Sequence, residues 1–461
     1  MKSELLANNT LPLRQSILNT HKNMKQIAIL FLCCLFVVAC SDDDKNEEPI
    51  LVTNVVVSDA NKVFKPGEAI TITAQGFQEN DQFIVDIRWP LEEPSGPIKE
   101  GYAVSNPIVK EQTPTSITFL VPGHYPAATL KMFLIRGDKK MTLCTVSVAD
   151  GQAPKELQLY GITNSRSMNN HPRGIQQIDL TTGRTTDIVS FADGEDFTLA
   201  VNAPGDYTLC GLLKQGGETS IGKFDLSIKA LAKQYNTSEL PITFFTRANT
   251  IWAVQQLDEK NLIINKVNTS PLTRLNNVVE PAPRFEIPAG FKPETLSGYT
   301  GISVESKILF SADNGNGTFS PVVFNINSGN AKYDIQVFDP IQADALIPFW
   351  IAVPKVAPNP DNSYVIACGF ALCNSKANKT ELRLWNTTTN SLDEPFAVYP
   401  YANKLVSIAT HFTEDLKTQE IYMLIEGREN GGLIEIYDLQ KKGWRNFPNF
   451  GFPYSEILFA R

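Results

Sequence analysis

Short stretches in which apolar and polar residues alternate, separated by turn-forming residues, recur early in the chain. In residues 69–74, Ile70, Ile72 and Ala74 alternate with threonines, which is the two-residue period of a half-buried strand. Further strands predicted on similar grounds span 83–89, 115–121, 129–136 and 141–148. Evenly spaced short strands without a helical period predict an all-β sandwich of about seven strands over residues 51–149.

Residues 155–461 carry a repeat of about fifty residues. In each copy a strand meets a polar turn at an Asp or Asn, and these residues are Asp179, Asp225, Asn268, Asn325, Asn386 and Asp438. A second motif, a strand containing glycine, runs in step with the first, as at Gly161, Gly211 and Gly369. Two motifs in phase predict a β-propeller of four-stranded blades. We expect each Asp or Asn to bond its own turn backbone.

The two ends of the repeat region complement each other. The later repeats have a strand before the glycine strand, as in 197–201, whereas residues 150–156 supply none before the first. The chain ends instead in a spare apolar strand, Glu456–Ala460. The sequence therefore predicts a six-bladed propeller that is closed by the C-terminal strand, which hides exposed sheet edges.

The amino-terminal segment has the features of an export signal. A short basic start at Met24 precedes an apolar run over 27–39, which is shorter than the roughly 20 residues of a membrane-spanning helix and suits a signal peptide. The run ends in Val37-Val38-Ala39-Cys40, which resembles the bacterial lipobox and implies lipidation at Cys40. We therefore predict a lipoprotein signal peptide over residues 24–39 and interpret residues 1–23 as an upstream extension from a misplaced start. The alternative is an ordinary secretory signal with an incidental cysteine.

An acidic tether, residues 40–50, follows the signal peptide. Its Asp and Glu residues repel one another and favour an extended, solvated segment. Behind a lipidated cysteine it resembles the surface-export signal of lipoproteins in Bacteroidetes-type bacteria. That resemblance implies an outer-membrane lipoprotein facing the cell exterior, with the periplasmic leaflet as the alternative. The formal net charge of −8 argues against nucleic acid as a partner.

Residues 51–149 resemble the IPT/TIG branch of immunoglobulin-like folds. The resemblance rests on Pro66-Gly67-Glu68, Gly76-Phe77 and residues 115–122. It implies an immunoglobulin-like fold that acts as a spacer. A role of Trp89 as a ligand platform, rather than as a cap on the sandwich core, is the alternative.

The predicted mature sequence lacks the common catalytic motifs. It contains no HExxH, GxSxG or CxxC sequence, and His124, His171 and His411 are isolated from one another. Residues 311–319 resemble the Asp-box of sialidase-type propellers, but the arginine signature of that family is absent. No cofactor or metal is expected. An enzymatic role stays open, because two carboxylates can converge from distant strands.

The candidate binding surface is the propeller face formed by loops between second and third strands and by connections between blades. Aromatic rings there suit sugars, and the cations suit an anionic ligand. The candidates are Arg166, His171, Arg173, Lys214, Trp350, Tyr401, Arg428 and Tyr454.

The complete arrangement resembles the accessory lipoproteins of Bacteroidetes glycan-uptake systems. The resemblance implies a non-enzymatic cell-surface protein that binds a nutrient, first of all a glycan, and passes it to an outer-membrane transporter of the TonB-dependent type. Capture of a ferric siderophore or corrinoid, a protein-binding scaffold, and a glycoside hydrolase or lyase are the alternatives.

Overall fold

The computed structural model describes residues 50–79, 81–91, 99–105, 107–123, 125–137, 139–151, 157–167, 171–202, 208–235, 240–247, 250–267, 283–326, 333–354, 364–401, 404–413, 417–426 and 431–460. The predicted signal peptide, Cys40, nearly all of the tether and Arg428 lie outside these residues. The described ranges contain no helix with the length and apolar content of a transmembrane span.

The first nine described strands form two sheets. They are β1 (Thr53–Val57), β2 (Val63–Phe64), β3 (Ala69–Gln75), β4 (Gln82–Leu91), β5 (Lys99–Ser105), β6 (Ile108–Thr113), β7 (Ser116–Leu120), β8 (Ala128–Arg136) and β9 (Lys139–Val148). One sheet has the order β1-β3-β7-β6 and the other β2-β9-β8-β4-β5. Ile70 and Ile72 of β3 pair with Phe119 and Ile117 of β7, and all four are fully buried. The alternation in the sequence thus forms one wall of the core.

The structure has more strands here than the approximately seven that the sequence predicts. The strand β2 has only two residues, and β6 reads Ile-Val-Lys-Glu-Gln-Thr with little alternation. Both lie at sheet edges, where one side of the strand has no neighbouring strand to impose a hydrophobic pattern.

The remaining strands build the second domain. They are β10 (Gln158–Thr163), β11 (Gly174–Ile178), β12 (Thr185–Ser190), β13 (Asp196–Asn202), β14 (Thr208–Gln215), β15 (Glu218–Asp225), β16 (Ala230–Tyr235), β17 (Thr243–Arg247), β18 (Thr250–Gln256), β19 (Asn261–Lys266), β20 (Arg284–Glu286), β21 (Gly301–Val304), β22 (Lys307–Asp313), β23 (Thr318–Ile326), β24 (Tyr333–Val337), β25 (Ile341–Gln342), β26 (Ala345–Pro354), β27 (Tyr364–Asn374), β28 (Lys379–Asn386), β29 (Ser391–Tyr399), β30 (Leu405–Phe412), β31 (Gln419–Glu426), β32 (Gly432–Asp438), β33 (Gly443–Phe452) and β34 (Glu456–Ala460). A 3-10 helix, Pro293–Gly298, lies between β20 and β21.

These strands associate in groups of four, which we number as units. Unit 1 is β34 followed by β10–β12, unit 2 is β13–β16, unit 5 is β26–β29 and unit 6 is β30–β33. Units 3 (β17–β20) and 4 (β21–β24) share one larger sheet, because their first strands pair in parallel, and β25 lies beside β23. The first strands of the units contact one another in the order β34, β13, β17, β21, β26 and β30, and β30 also contacts β34.

The spare C-terminal strand joins the first sheet. Residues Glu456–Ala460 pair antiparallel with β10, from Ala460 opposite Gln158 to Glu456 opposite Ile162. This pairing agrees with the sequence prediction. It gives unit 1 a first strand that comes from the other end of the chain.

The repeated Asp and Asn residues organise the turns that follow the third strands. The Oδ1 atom of Asp179 accepts hydrogen bonds from the amides of Thr181 and Thr182 at 3.0 and 2.7 Å. Equivalent pairs of amide donors bond Asp225, Asn386 and Asp438. The expectation that these side chains bond their own turns is confirmed at these four positions. Asn268 and the turn after Asn325 lie outside the described residues.

The described cysteines of the second domain are packing residues. Cys210 and Cys368 lie on the second strands of units 2 and 5 and are buried. Cys368 and Cys373 do not form a disulfide with each other.

The first domain packs against the turn between β15 and β16, the third and fourth strands of unit 2. Gly123 lies directly against Ser227 and Ile228 of that turn, so closely that a Cβ on Gly123 would come within 2.2 Å of the Ser227 hydroxyl oxygen. Strand β6 also contacts β16 at the outer edge of unit 2. This contact surface therefore needs glycine at position 123.

Arg136→Ala is expected to destabilise the first domain by about 3 kcal/mol. The Arg136 guanidinium donates Nε to Asp81 Oδ1 at 2.7 Å and Nη2 to Oδ2 at 2.8 Å. Because the Asp81 side chain is fully buried, its loss of a charge partner is costly. Urea unfolding measures the effect. Arg88→Ala is the control, since Arg88 is half exposed beside Asp86 and should change stability by less than about 1 kcal/mol. Equal losses in the two variants would contradict this reasoning.

Candidate functional site

Strand direction divides the second domain into two faces. Neighbouring strands within a unit are antiparallel, so second and fourth strands end on the same side. We call that side the loop face. It carries the loops from second to third strands and the connections between units. The opposite side carries the turns between third and fourth strands, and we call it the turn face.

Four candidate residues lie on the loop face at the junction of units 1 and 2, namely His171 and the cations Arg166, Arg173 and Lys214. Arg166, His171 and Arg173 come from the loop between β10 and β11, and Lys214 lies beside the hairpin between β14 and β15. His171 and Lys214 are exposed. Arg173 is half-buried and donates to the carbonyl oxygen of Glu195 at 3.1 Å. Arg166, His171 and Arg173 therefore share one loop, and Lys214 belongs to the loop of the next unit on the same face.

Arg166 reaches away from this junction to the connection between units 3 and 4. Its guanidinium donates to the carbonyl oxygens of Ser297 and Gly298 at 3.2 and 3.3 Å. These carbonyls end the 3-10 helix, which is anchored by the buried side chains of Pro293 and Leu296. Arg166 is itself exposed, so it remains available to a ligand that competes for its donors.

The two candidate aromatics of units 5 and 6 have different environments. Tyr401 lies on the connection between these units and is 56% exposed, with the edge of its ring against Tyr399 at a centroid distance of 5.6 Å. Trp350 lies within β26 instead of in a connection, because the apolar strand begins at Ala345. Its ring contacts the ring of Phe412. Phe412 is the last residue of β30, and this strand ends on the side of the turn face. Tyr401 therefore belongs to the loop face, and Trp350 does not.

Tyr454 is a core residue. It is fully buried, stacks on Phe452 at 5.7 Å and donates its hydroxyl to Gln176 Oε1 at 2.6 Å. The ring covers Gly161, where a Cβ would come within 2.5 Å of it. Burial raises the pKa of Tyr454. The sequence prediction of Tyr454 as a ligand contact is replaced by a packing role, because a tyrosine next to proline in a short connection looks the same in sequence whether it points outward or inward.

Sequence reasoning missed a group of polar side chains under the junction of units 1 and 2. The Glu456 carboxylate accepts hydrogen bonds from the amides of Leu199 and Ala200 and from the side chain of Asn164. Asp196 accepts from the amide and hydroxyl of Ser165. Burial raises the pKa of Glu456. Since these carboxylates are held by neighbouring donors, they shape the loop.

Tyr299 lies beneath the same face, on the connection between units 3 and 4. Burial raises its pKa to about 12, with the nearby Asp313 acting in the same direction. Its backbone oxygen accepts a hydrogen bond from Thr243 at 2.8 Å. In the part of the chain that the structure describes, no group of three or more His, Cys, Asp or Glu side chains could hold a metal ion.

Family comparison agrees with this two-part architecture. Residues 49–156 match the DUF4784 N-terminal Ig-like domain, and residues 159–460 match the DUF4784 WD40-like domain. The chain belongs to the DUF4784 family. A crystal structure of a DUF4784 family protein from Bacteroides caccae ATCC 43185 is 28% identical to this chain, with a TM-score of 0.62, and the match covers 89% of this chain and 100% of that one.

More distant comparisons add little to the DUF4784 assignment. TolB from Acinetobacter baumannii is 11% identical with a TM-score of 0.39, over 73% of this chain and 80% of TolB. No curated protein matches the sequence significantly. The DUF4784 assignment therefore establishes an all-β chain with an Ig-like domain and a WD40-like domain.

The Asp-box-like segment of this DUF4784 chain is a hairpin turn. Residues 311–319 span the end of β22 and the start of β23, which are the second and third strands of unit 4. Asp313 Oδ1 accepts a hydrogen bond from the amide of Gly315 at 2.8 Å. Gly315, Asn316 and Gly317 all have positive φ, so the glycines serve the turn geometry.

Glu420→Gln is expected to remove a pH-dependent part of the stability of unit 6. Burial alone would raise the pKa of Glu420, but His411, Arg445 and Tyr422 lower it to about 2 from its ordinary 4.5. A carboxylate with a lowered pKa stabilises the fold above its ordinary pKa, and that contribution is lost as pH falls toward about 2. The difference in melting temperature between wild type and variant should therefore shrink as the pH is lowered from about 6 to about 2. Glu426→Gln, on the same strand but with a more exposed side chain, is the control. A difference that stays constant with pH would contradict the assignment.

Proposed function

We propose that this DUF4784 chain is a lipid-anchored surface protein that binds a nutrient, most simply a glycan, on the loop face and passes it to an outer-membrane transporter. In this proposal Cys40 carries the lipid and residues 40–50 are the tether. The WD40-like domain is a six-bladed propeller, with units 1 to 6 as blades and β34 closing the ring. Its support is the cyclic order of first strands, in which β30 returns to β34.

The position of the Ig-like domain is the observation that carries this proposal. Gly123 packs against Ser227 and Ile228, which belong to the turn face. The three cations and His171 at the junction of units 1 and 2, and Tyr401, lie on the other face. A spacer attached at the turn face leaves the loop face open to a ligand.

The chemistry of the loop face favours a polar ligand with rigid rings. An exposed tyrosine offers an apolar face for stacking, and arginine and lysine supply directional donors. A ferric siderophore or corrinoid has the same combination of rings and acceptors, so capture of such a ligand is the second candidate.

A thermal-shift screen of residues 41–461 tests the proposal. The panel contains host and plant polysaccharides, corrinoids and ferric siderophores. A ligand at about 100 times its Kd stabilises the folded chain by about 2.7 kcal/mol, which visibly raises the melting temperature. A shift with a polysaccharide and without product formation would support glycan capture. A shift with a corrinoid or siderophore alone would replace the glycan by that class of ligand. No shift across the panel would overturn nutrient capture in favour of a protein partner.

Tyr401→Ala is expected to weaken binding of the ligand found in that screen by about 1–3 kcal/mol, the range for an aromatic anchor. The stability of the chain should hardly change, because Tyr401 is mostly exposed. Tyr401→Phe is the matched control, since it keeps the ring and should retain affinity. Isothermal titration calorimetry measures both variants. Unchanged affinity in Tyr401→Ala would exclude this tyrosine from the site.

A further inference from the structure

The C-terminal strand carries a carboxylate that acts outside its own sheet. Glu456 is the first residue of β34, and its Oε1 and Oε2 atoms accept the amides of Leu199 and Ala200 in β13 at 2.9 and 2.7 Å. At this point β13 is bulged, because the pairing with β14 skips from Thr198 to Val201. Leu199 also has φ +56°, a left-handed conformation that is strained for leucine. The carboxylate thus binds two successive amides that the bulge takes out of the ladder.

The same carboxylate holds the loop that presents Arg166. Asn164 donates its side-chain amide to Glu456 Oε1 at 3.2 Å and to the carbonyl oxygen of Phe197 at 3.0 Å. The side-chain oxygen of Asn164 accepts the backbone amide of Arg166 at 2.9 Å. Asn164 is only 4% exposed. Its side chain therefore connects the Glu456 carboxylate directly to the backbone of Arg166, the candidate ligand contact.

We propose that Glu456 is a positioning residue, which through Asn164 fixes the turn that carries Arg166 and so couples attachment of the C-terminal strand to the arrangement of the loop face. The value of this coupling for ligand binding rests on the function proposed above. The coupling between Glu456 and the turn that carries Arg166 does not depend on that function. The coupling and the proposed function can therefore fail separately.

Hydrogen exchange of the full chain, with the variant Glu456→Gln, tests the coupling. Glutamine keeps the size of the side chain but has one acceptor oxygen, so one of the two bulge amides loses its partner. Amide exchange is measured by mass spectrometry on peptides that cover 162–167 and 198–202. We expect exchange in both peptides to accelerate about tenfold or more, as for a lost buried hydrogen bond.

Ser407→Ala is the matched control on the other side of the same strand. The Ser407 hydroxyl accepts the amide of Ile457 at 3.1 Å and donates to its carbonyl oxygen at 3.4 Å, and it has no bond to Asn164. This variant should accelerate exchange at 456–460 and leave 162–167 unchanged. Equal acceleration of 162–167 in both variants would mean general loosening of the strand and would overturn the proposal.

Asn164→Ala removes the side chain that joins Glu456 to the backbone of Arg166. It also provides a test if Glu456→Gln does not fold. It should accelerate exchange of 162–167 while Leu199 and Ala200 stay protected by Glu456. Unchanged exchange of 162–167 in either folded variant would overturn the positioning role. All of these readouts are made without ligand, so failure of the nutrient screen would leave them valid.

Discussion

A chain that ends at Ser455 is expected to lose the folded WD40-like domain. Removal of β34 exposes the edge of β10, with which it pairs over five residues. It also removes Ile457 and Ala460 from two separate buried clusters, one shared with unit 6 and one with unit 2. The combined loss should exceed the total stability of about 5–15 kcal/mol that a domain has. Circular dichroism and the loss of a cooperative thermal transition for this domain are the measurements.

Moving the β34 sequence to the start of the domain tests whether the truncated chain unfolds because it lacks this strand or only because its C-terminus has changed. Ala460 lies opposite Gln158, so residues 456–460 can be placed before Gln158 and joined to it by a turn of about two to four residues. This relocated strand should restore the thermal transition in the chain truncated after Ser455. A truncated chain that melts like the wild type would contradict the closure of unit 1 by β34.

Tyr454→Ala is expected to destabilise the chain by about 3–5 kcal/mol, the usual cost of emptying a large aromatic site in a core. The ring is fully buried between Phe452 and Gly161, so its removal leaves a cavity at the junction of units 6 and 1. Tyr454→Phe keeps the ring and loses only the hydrogen bond to Gln176, at a cost of about 1 kcal/mol. Chemical unfolding measures both. A Tyr454→Ala variant with wild-type stability would contradict the core role of Tyr454 and would return it to the candidate ligand contacts.

Much of the fold is predictable because the sequence repeats its own turn chemistry. Asp179, Asp225, Asn386 and Asp438 each accept hydrogen bonds from nearby turn amides, and that requirement leaves a short motif at each of these four turns. The role of β34 was equally accessible, since one spare strand at the end matches one missing strand at the start. Such local signals do not depend on distant side chains.

The candidate site was only partly predictable, because its decisive contacts join distant parts of the chain. Strand order alone puts Arg166, His171 and Arg173 in one loop, the one between β10 and β11. It could not foresee that Arg166 bonds the 3-10 helix, or that Glu456 binds a bulge in β13. Whether Tyr454 points inward is decided by the space above Gly161, which no local pattern encodes.

In the Ig-like domain, too, only features with a local sequence pattern could be predicted. The alternating strand β3 was identified from Ile70 and Ile72, whose burial requires the pattern. The edge strands β2 and β6 are paired through the backbone and need little hydrophobic alternation, so they left no signal. The Asp81–Arg136 ion pair was likewise invisible, because its partners are far apart in sequence.

Hydrogen-exchange footprinting of the bound ligand tests the central claim most directly. With the ligand from the screen at saturation, the proposal predicts slower exchange on the loop face, in 162–167, 171–174, 212–218 and the segment around Tyr401. The turn segments 179–184 and 226–229 should be unchanged. Protection confined to the turn face or to the Ig-like domain would contradict the assignment of the loop face as the binding surface.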